Sequence, residues 1–138
     1  MTFGDKVKTA RINLNLTQEE VASRMGITRR ALISYEQDKS RPRGIEKYKK
    51  LANALEINVN YLLNEEDEFV ATAYDKYGAR GASQADELIN QMGALFAGGE
   101  LSANDKDAVM KAMQEIYWDA KEENKKYTPK KYLTNKNN

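Results

Sequence analysis

The 138-residue chain contains no cysteine and no histidine. Without cysteine it can form neither a disulfide nor a thiol redox site, and without both residue types it cannot build a usual zinc site. A common nucleophile and the most common general base of enzymes are therefore missing as well. These absences argue against an enzyme, and we expect the protein to have no catalytic residues, no cofactor and no metal.

Long hydrophobic runs are also missing. No apolar segment approaches the ~20 residues that a membrane-spanning helix needs, and residues 1–15 lack the apolar core of a signal peptide. The sequence has 31% charged and 41% hydrophobic residues, which is ordinary for a globular chain of one domain or two small ones. We therefore expect a cytoplasmic protein without a membrane partner.

The small net charge of the whole chain hides an uneven distribution. Residues 1–63 hold 12 Lys and Arg against 7 Asp and Glu, a net charge of +5, whereas residues 64–138 hold 10 against 14, a net charge of −4. A basic segment suits a polyanionic partner such as a nucleic acid, and an acidic segment does not. The first half is therefore the candidate for binding one.

Residues 16–43 read as two short helices joined by a glycine turn. Thr17 can cap the first helix with its hydroxyl, and Glu20 can return a hydrogen bond to the Thr17 amide, which is the capping-box pattern. Gly26 permits the left-handed conformation that ends the helix, and Thr28 is the N-cap of the next one. The pattern predicts a helix-turn-helix.

The two faces of the second helix differ in character. Leu32 and Tyr35 are spaced to face a core. The other side has no apolar partner in the sequence, and its residues are Arg29, Arg30, Ile33, Ser34 and Gln37.

Three further helices complete the predicted first domain. Thr2 and Asp5 form a capping box at the start of a helix over residues 2–13. Pro42 imposes an extended approach to a fourth helix over residues 45–55, and a short fifth helix covers residues 59–63. Five helices of this length can enclose one small core.

The acidic stretch 64–68 marks the boundary of the second half, as a linker or as a helix start. Apolar spacing in residues 69–77 favours a helix, although a short extended piece over residues 69–73 fits the same letters. Gly78 and Gly81 are expected to end this element.

Two more helices are predicted beyond these glycines. The first covers residues 84–96 with Ser83 as its N-cap, and Gly98 with Gly99 ends it. The second is the longest helix, starting from Ser102 and reaching about residue 126. Its apolar stripe consists of Ala108, Val109, Ala112, Met113, Ile116, Tyr117 and Ala120.

The motifs of the first half resemble, position for position, the DNA-binding domain of the Cro/C1-type repressors, also called the xenobiotic-response-element (XRE) family. The resemblance covers about residues 1–64, and it implies a five-helix domain that binds double-stranded DNA. It also implies a structural ion pair between Arg11 and Glu36. At 37–39 this chain has Gln-Asp-Lys where the family often has a glycine, which leaves the form of that turn open.

The resemblance assigns DNA contacts to both helices of the motif and to the following loop. Arginine at the first turn of a recognition helix can bind guanine O6 and N7 in the major groove, and cations of the loop suit the DNA backbone or the minor groove. The alternative for each residue is an ordinary solvated side chain. The predicted contacts are Gln18, Thr28, Arg29, Arg30, Ile33, Ser34, Lys39, Arg41 and Arg43.

The second half resembles the C-terminal segment of repressor-like regulators carried by mobile elements of Gram-positive bacteria, through residues 95–113 and 117–127. This resemblance suggests control by a companion metallopeptidase that inactivates the repressor. The stripe of the last helix also predicts a homodimer, because two or three amphipathic helices form only a thin core by themselves. The predicted dimerisation residues are Val109, Met113, Ile116, Tyr117 and Ala120.

Together these observations predict an all-α protein with a five-helix Cro/C1-type helix-turn-helix domain followed by a small helical C-terminal region. The expected domains are a DNA-binding domain over 1–64, a dimerisation or regulatory region over 65–127 and a disordered basic tail over 128–138. The predicted function is a transcriptional repressor that binds a palindromic operator as a dimer. An alternative is an antitoxin-like module whose C-terminal helices bind a partner protein and whose DNA binding is autoregulatory.

Overall fold

A computed structural model describes residues 1–99 and 101–126, and within these ranges it contains seven helices and no strand. The all-α prediction is therefore confirmed. The predicted disordered tail lies outside the described residues. The helices are α1 (Phe3–Asn13), α2 (Gln18–Met25), α3 (Arg29–Glu36), α4 (Ile45–Ala54), α5 (Val59–Leu62), α6 (Glu65–Phe96) and α7 (Ala103–Lys126).

Threonine side chains start each of the first three helices, as predicted. In α2 the Thr17 hydroxyl accepts a hydrogen bond from the Glu20 amide at 3.1 Å, and the Glu20 carboxylate accepts one from the Thr17 amide at 3.0 Å. Thr2 forms the same capping box in α1. Gly26 ends α2 with φ 71°, in the left-handed region where glycine has no steric penalty. These bonds satisfy amides that a helix start otherwise leaves unpaired.

The core of the first five helices is built from the apolar residues that the helical spacing indicates. Val7, Val21, Leu32, Leu51 and Leu55 are at most 1% exposed. Burying one such side chain contributes roughly 1.5–3 kcal/mol relative to leaving it in water. Because these residues come from α1, α2, α3 and α4, their packing fixes the helix-turn-helix against the rest of the domain.

Of the two glycines predicted to end the helix that begins near residue 69, Gly78 is confirmed and Gly81 is wrong. α6 (Glu65–Phe96) has a kink at Gly78, which leaves the helical conformation with φ 74° and ψ −165°. Gly81 lies inside the helix and is buried, and Ser83 is an interior residue rather than an N-cap. A glycine inside a helix costs only about 1 kcal/mol relative to alanine, which packing can offset. The extended alternative for residues 69–73 was wrong as well, because these residues are helical.

The chain divides into two compact units, one covering Met1–Asp86 and a second that begins at Glu87. The first unit therefore includes part of α6, beyond the boundary predicted at residue 64. In the second unit the Ser102 hydroxyl accepts a hydrogen bond from the Asp105 amide at 3.2 Å, so the predicted cap of α7 is present. No helix in the described ranges is long and apolar enough to span a membrane.

The face of α7 that the chain buries differs from the predicted stripe. Met110 and Tyr117 are each 6% exposed, whereas Ile116 is 68% exposed. Val109 and Met113 are half-buried, and the alanines of the stripe at 108, 112 and 120 are exposed. The predicted stripe is so wide that spacing alone does not say which part of it turns inward.

Alkaline pH is expected to destabilise the fold through Tyr48. Its side chain is 2% exposed, and burial raises the pKa of its hydroxyl to about 12. The unfolded chain ionises near its ordinary value of 10, so stability is complete below pH 10 and is lost as the pH rises through 12. We expect the free energy of unfolding to fall by about 2 kcal/mol between pH 9 and pH 11.5 because of this group.

Denaturant unfolding of the Tyr48→Phe variant measures that contribution, because phenylalanine keeps the ring and has no ionisable group. The variant is expected to lose less stability than the parent protein over the same pH interval. An equal loss in both proteins would show that other groups control the alkaline transition.

Candidate nucleic-acid interface

The position of α3 is set by its N-cap and by its buried face. The Thr28 hydroxyl accepts a hydrogen bond from the Ala31 amide at 3.1 Å, and the amide of Ile27 donates to the Ala22 carbonyl at 3.0 Å across the turn. Leu32 is fully buried. This arrangement leaves the opposite face of α3 at the surface.

That surface carries the two arginines predicted to bind DNA. Arg29 and Arg30 are exposed in the first turn of α3, and neither forms an ion pair with any other described residue. One turn further on, Ile33 and Ser34 are half-buried, and the Ser34 hydroxyl accepts a hydrogen bond from Ser40 at 2.8 Å. Two guanidinium groups are thus available to an anion or to a base edge.

Glu36, at the end of α3, connects the first three helices. Its Oε2 accepts from Arg11 Nε at 2.7 Å, and its Oε1 accepts from Arg11 Nη2 at 3.1 Å and from Gln18 Nε2 at 3.2 Å. Arg11 Nη1 also donates to the Leu16 carbonyl at 3.0 Å. The Arg11 and Glu36 side chains are only 12% and 4% exposed. The structure therefore brings the predicted ion pair together and adds Gln18 to it.

Gln18 also borders an open depression beside α3, together with Lys8, Arg11 and Arg29. Its amide donates one of its N–H groups to Glu36 and has a second one left. The depression includes the first residue of α2, where backbone amides and the helix dipole favour an anion. Its charge and shape suit a DNA phosphate next to the recognition helix.

The turn after α3 is organised by Asp38. This residue has φ 58°, a conformation that aspartate tolerates better than most residues. Its carboxylate accepts from the Thr2 hydroxyl at 2.6 Å and from the Gly4 amide at 2.8 Å, and these bonds lower the pKa of Asp38. A Cβ at Gly4 would overlap the Glu36 carbonyl oxygen, so glycine is needed where α1 meets α3. An aspartate thus holds the left-handed conformation in this turn, whose form the sequence left open.

The three basic residues of the following loop do not share one environment. Lys39 and Arg43 are exposed. Arg41 Nη1 instead lies 2.9 Å from Asp67 Oδ2, and its guanidinium is 4.8 Å from the centre of the Phe3 ring. Arg41 is exposed as well, but unlike the other two it pairs with an acidic residue of α6, and its DNA contact stays a prediction.

Three carboxylates of the first unit have structural roles that were not predicted from the sequence. Asp38 holds the start of α1, Asp67 pairs with Arg41, and Asp75 accepts a hydrogen bond from the Ile45 amide at 2.9 Å. Asp67 and Asp75 lie 26 and 30 residues from their partners, so local patterns do not reveal them. The one available signal was Gly44, which precedes α4 and has no side chain to cap it.

These features define a helix-turn-helix DNA-binding protein, since a capped recognition helix presents arginines outside a core made by its neighbours. Residues 4–68 match the family model described as a helix-turn-helix domain. The Cro/C1-type resemblance of the first half is confirmed. The chain therefore carries the DNA-binding domain of a helix-turn-helix transcriptional regulator.

Two relatives extend the comparison beyond this domain. The immunity repressor protein of Bacillus phage phi105 is 29% identical over 140 residues, which cover 96% of this chain and 96% of that protein. An SPbeta prophage-derived uncharacterized HTH-type transcriptional regulator of Bacillus subtilis strain 168 is 28% identical over 96 residues, covering 70% of this chain and 76% of that protein. Both relatives are described as regulators rather than as enzymes.

Proposed function

We propose that the protein represses transcription in the cytoplasm by binding a palindromic operator as a homodimer. The observation that carries this proposal is the pair of exposed arginines, Arg29 and Arg30, in the first turn of α3. Charge supports it, because residues 1–63 have a net charge of +5. Binding alone accounts for the function, since an occupied operator excludes the polymerase.

The proposed contacts fall into two groups. Arg29, Arg30 and Ile33 contact base edges in the major groove, with Ser34 at a base or a phosphate. Phosphates are bound around this helix by Gln18 and Thr28 at the helix starts and by Lys39 and Arg43 in the loop. Phosphate contacts supply affinity and register, whereas base contacts supply sequence specificity.

The proposed dimer uses one side of α7, which we call the seam and define as Val109, Met113, Ile116 and Ala120. These residues follow spacings of four, three and four, so they form one line along the helix. Ile116 is 68% exposed in the single chain. Tyr117 is 6% exposed, and we place it beneath the seam rather than in the contact itself. A two-fold dimer suits an operator whose half-sites are about 34 Å apart.

The antitoxin-like module remains the second candidate, because the exposed apolar residue Ile116 can equally meet a different protein. Poor solubility of the chain by itself and stable recovery with a second protein would favour that function.

Inactivation by a companion metallopeptidase also stays a prediction, and cleavage of the purified repressor by such an enzyme tests it.

The test of DNA binding begins with selection of bound fragments from genomic DNA, which identifies an operator. Arg29→Ala and Arg30→Ala are then expected to weaken operator binding by about 1–3 kcal/mol each and to relax base preference at one position of each half-site. The reason is loss of a bidentate contact to guanine. Fluorescence anisotropy with operator and with random DNA measures both effects.

Arg24→Ala is the matched control, because Arg24 is an exposed arginine of the neighbouring helix and lies outside the proposed contact set. It should leave the operator affinity nearly unchanged. If the Arg29 and Arg30 variants lose affinity equally on operator and random DNA, they are phosphate contacts and the proposed base readout is wrong.

A further inference from the structure

The start of α4 depends on a residue from α6. Gly44 precedes α4 and offers no side-chain cap, and the Ile45 amide instead donates to Asp75 Oδ2 at 2.9 Å. Gly44 has φ 93°, and a Cβ at this position would overlap the Asp75 carboxylate. A glycine is therefore required for Asp75 to approach. In this way α6 pairs the first amide of α4, one of the amides that a helix start leaves without an intrahelical partner.

A second contact with α6 lies in its first turn. Arg41 Nη1 is 2.9 Å from Asp67 Oδ2, and the Arg41 guanidinium lies over the Phe3 ring at 4.8 Å. The Asp67 amide donates to Asn64 Oδ1 at 2.7 Å, which fixes the first turn of α6. Arg41 is thus held between α1 and α6.

The loop between α3 and α4, residues 37–44, is consequently attached at three points. Asp38 holds its beginning to the start of α1, Arg41 holds its middle to Asp67, and Asp75 holds the residue that follows it. Lys39 and Arg43 lie between these attachments and are exposed. The attachments restrict where the two exposed cations can lie relative to α3.

We infer that Asp67 and Asp75 are positioning residues for DNA binding, and that Arg41, although its side chain is 43% exposed, ties the loop to α6 rather than contacting DNA. We call Arg41, Asp67 and Asp75 the brace. The brace holds residues 37–44 so that Lys39 and Arg43 meet the backbone of the same site that α3 reads. This inference rests on the proposed DNA binding, and it makes the start of α6 part of the DNA-binding unit.

The electrostatics of Asp67 favour a geometric role over a stabilising one. Burial raises the pKa of this carboxyl above its ordinary value, and the attraction to Arg41 only partly opposes that shift. The ion pair therefore does not recover the full cost of removing the carboxylate from water. Because the Arg41 side chain is 43% exposed, solvent screens this pair, and the pair contributes little to stability.

The experiment compares Asp67→Asn, Arg41→Gln and the double variant in the full-length protein. Operator affinity is measured over a range of salt concentrations, and thermal unfolding is measured for each protein. Each single variant is expected to bind the operator roughly tenfold more weakly, and the double variant no more weakly than either, because both remove the same contact. The salt dependence should keep its slope, since no phosphate contact is lost.

Three further variants make the test specific. Glu66→Gln removes one negative charge next to Asp67, at an exposed position. If Asp67→Asn weakens binding because the loop loses its attachment, and not because a charge is lost, Glu66→Gln should leave operator binding nearly unchanged. Lys39→Gln should weaken operator and random DNA alike and reduce the slope of log affinity against log salt by about 1, as expected for a phosphate contact. Asp75→Asn should weaken operator binding as Asp67→Asn does, and it should likewise leave the salt slope unchanged.

Other outcomes would overturn the inference. Tighter binding by Asp67→Asn together with a smaller salt slope for Arg41→Gln would show that Arg41 contacts a phosphate and that Asp67 restrains it. If operator affinity is unchanged in Arg41→Gln, Asp67→Asn and Asp75→Asn, these residues do not position the loop for DNA binding. If Lys39→Gln and Arg29→Ala were also without effect, the proposed DNA-binding surface itself would be wrong, so the two failures are distinguishable.

Discussion

Replacing Arg11 by methionine is expected to lower the free energy of unfolding by about 3–5 kcal/mol. The substitution leaves the Glu36 carboxylate with only 4% of its side chain exposed and without a positive charge beside it. Gln18 alone still donates to that carboxylate. Water cannot replace the lost guanidinium at so buried a position, and methionine occupies a similar volume without supplying a donor. Urea unfolding at pH 7 measures the loss.

Arg24→Met is the matched control for this prediction. Arg24 also pairs with a glutamate, at 3.3 Å, and also donates to a backbone carbonyl, but its side chain and that of Glu56 are 44% and 61% exposed. Solvent screens such a pair, so the expected loss is at most about 1 kcal/mol. Equal losses in the two variants would contradict the role that burial gives to the pair of Arg11 and Glu36.

A double variant distinguishes the effect of an unpaired buried charge from the effect of lost packing. Replacing both Arg11 and Glu36 by apolar residues, as in Arg11→Met with Glu36→Leu, removes the unpaired charge. We expect this double variant to recover part of the stability that Arg11→Met loses, because apolar replacements of buried ion pairs are often neutral. A double variant less stable than Arg11→Met would indicate that Glu36 has essential partners besides Arg11.

The largest expected effect on function comes from Ile116→Lys. Ile116 is 68% exposed in the single chain, so the substitution leaves the packing within the chain intact. If the seam forms the dimer, two lysines would be placed at a self-complementary apolar contact, where their desolvation is unfavourable. We expect a monomer at tens of micromolar by light scattering. Operator affinity should fall by at least about 100-fold, because the two half-sites are no longer bound together.

Two variants of α7 accompany this measurement. Met113→Lys, also in the seam, should have the same effect on assembly. Ala108→Lys adds the same charge at an exposed position outside the seam and should remain a dimer with unchanged operator affinity. A monomeric parent protein at the same concentration, or loss of the dimer in Ala108→Lys as well, would contradict the proposed seam.

The first half of the chain was largely predictable because its signals are local. A capping box joins residues three apart, and a glycine at the end of a helix acts within its own turn. Thr17, Glu20, Gly26 and Thr28 therefore have the conformations that their positions in the sequence indicate. The buried positions of these short helices followed for a similar reason, since each has one narrow apolar face.

The resemblance to Cro/C1-type repressors predicted a contact between distant residues, which local sequence patterns cannot predict. It implied the pairing of Arg11 with Glu36, which are 25 residues apart, and the structure places these side chains 2.7 Å apart. It also pointed to the exposed face of α3. It did not provide the role of Asp38, because this chain departs from the family at that turn.

In the second half the sequence determined that helices form, but it did not determine which face of each helix is buried. Glycine signals at 78 and 81 look alike in the sequence, yet only Gly78 has a positive φ, whereas Gly81 is buried and helical. In α7 the apolar stripe spans too wide an arc for spacing to select the buried part, and the structure buries Met110 and Tyr117 while it exposes Ile116.

The sequence by itself therefore determined the helices, their caps and the face of α3 that meets solvent, because neighbouring residues within one or two turns decide them. Tertiary structure alone decided that Asp67 and Asp75 hold the loop before α4 and that Arg41 is paired. Those contacts join residues 26 and 30 positions apart. They exist only because packing of the first unit brings the start of α6 against that loop, and nothing in the local pattern of either segment encodes the approach.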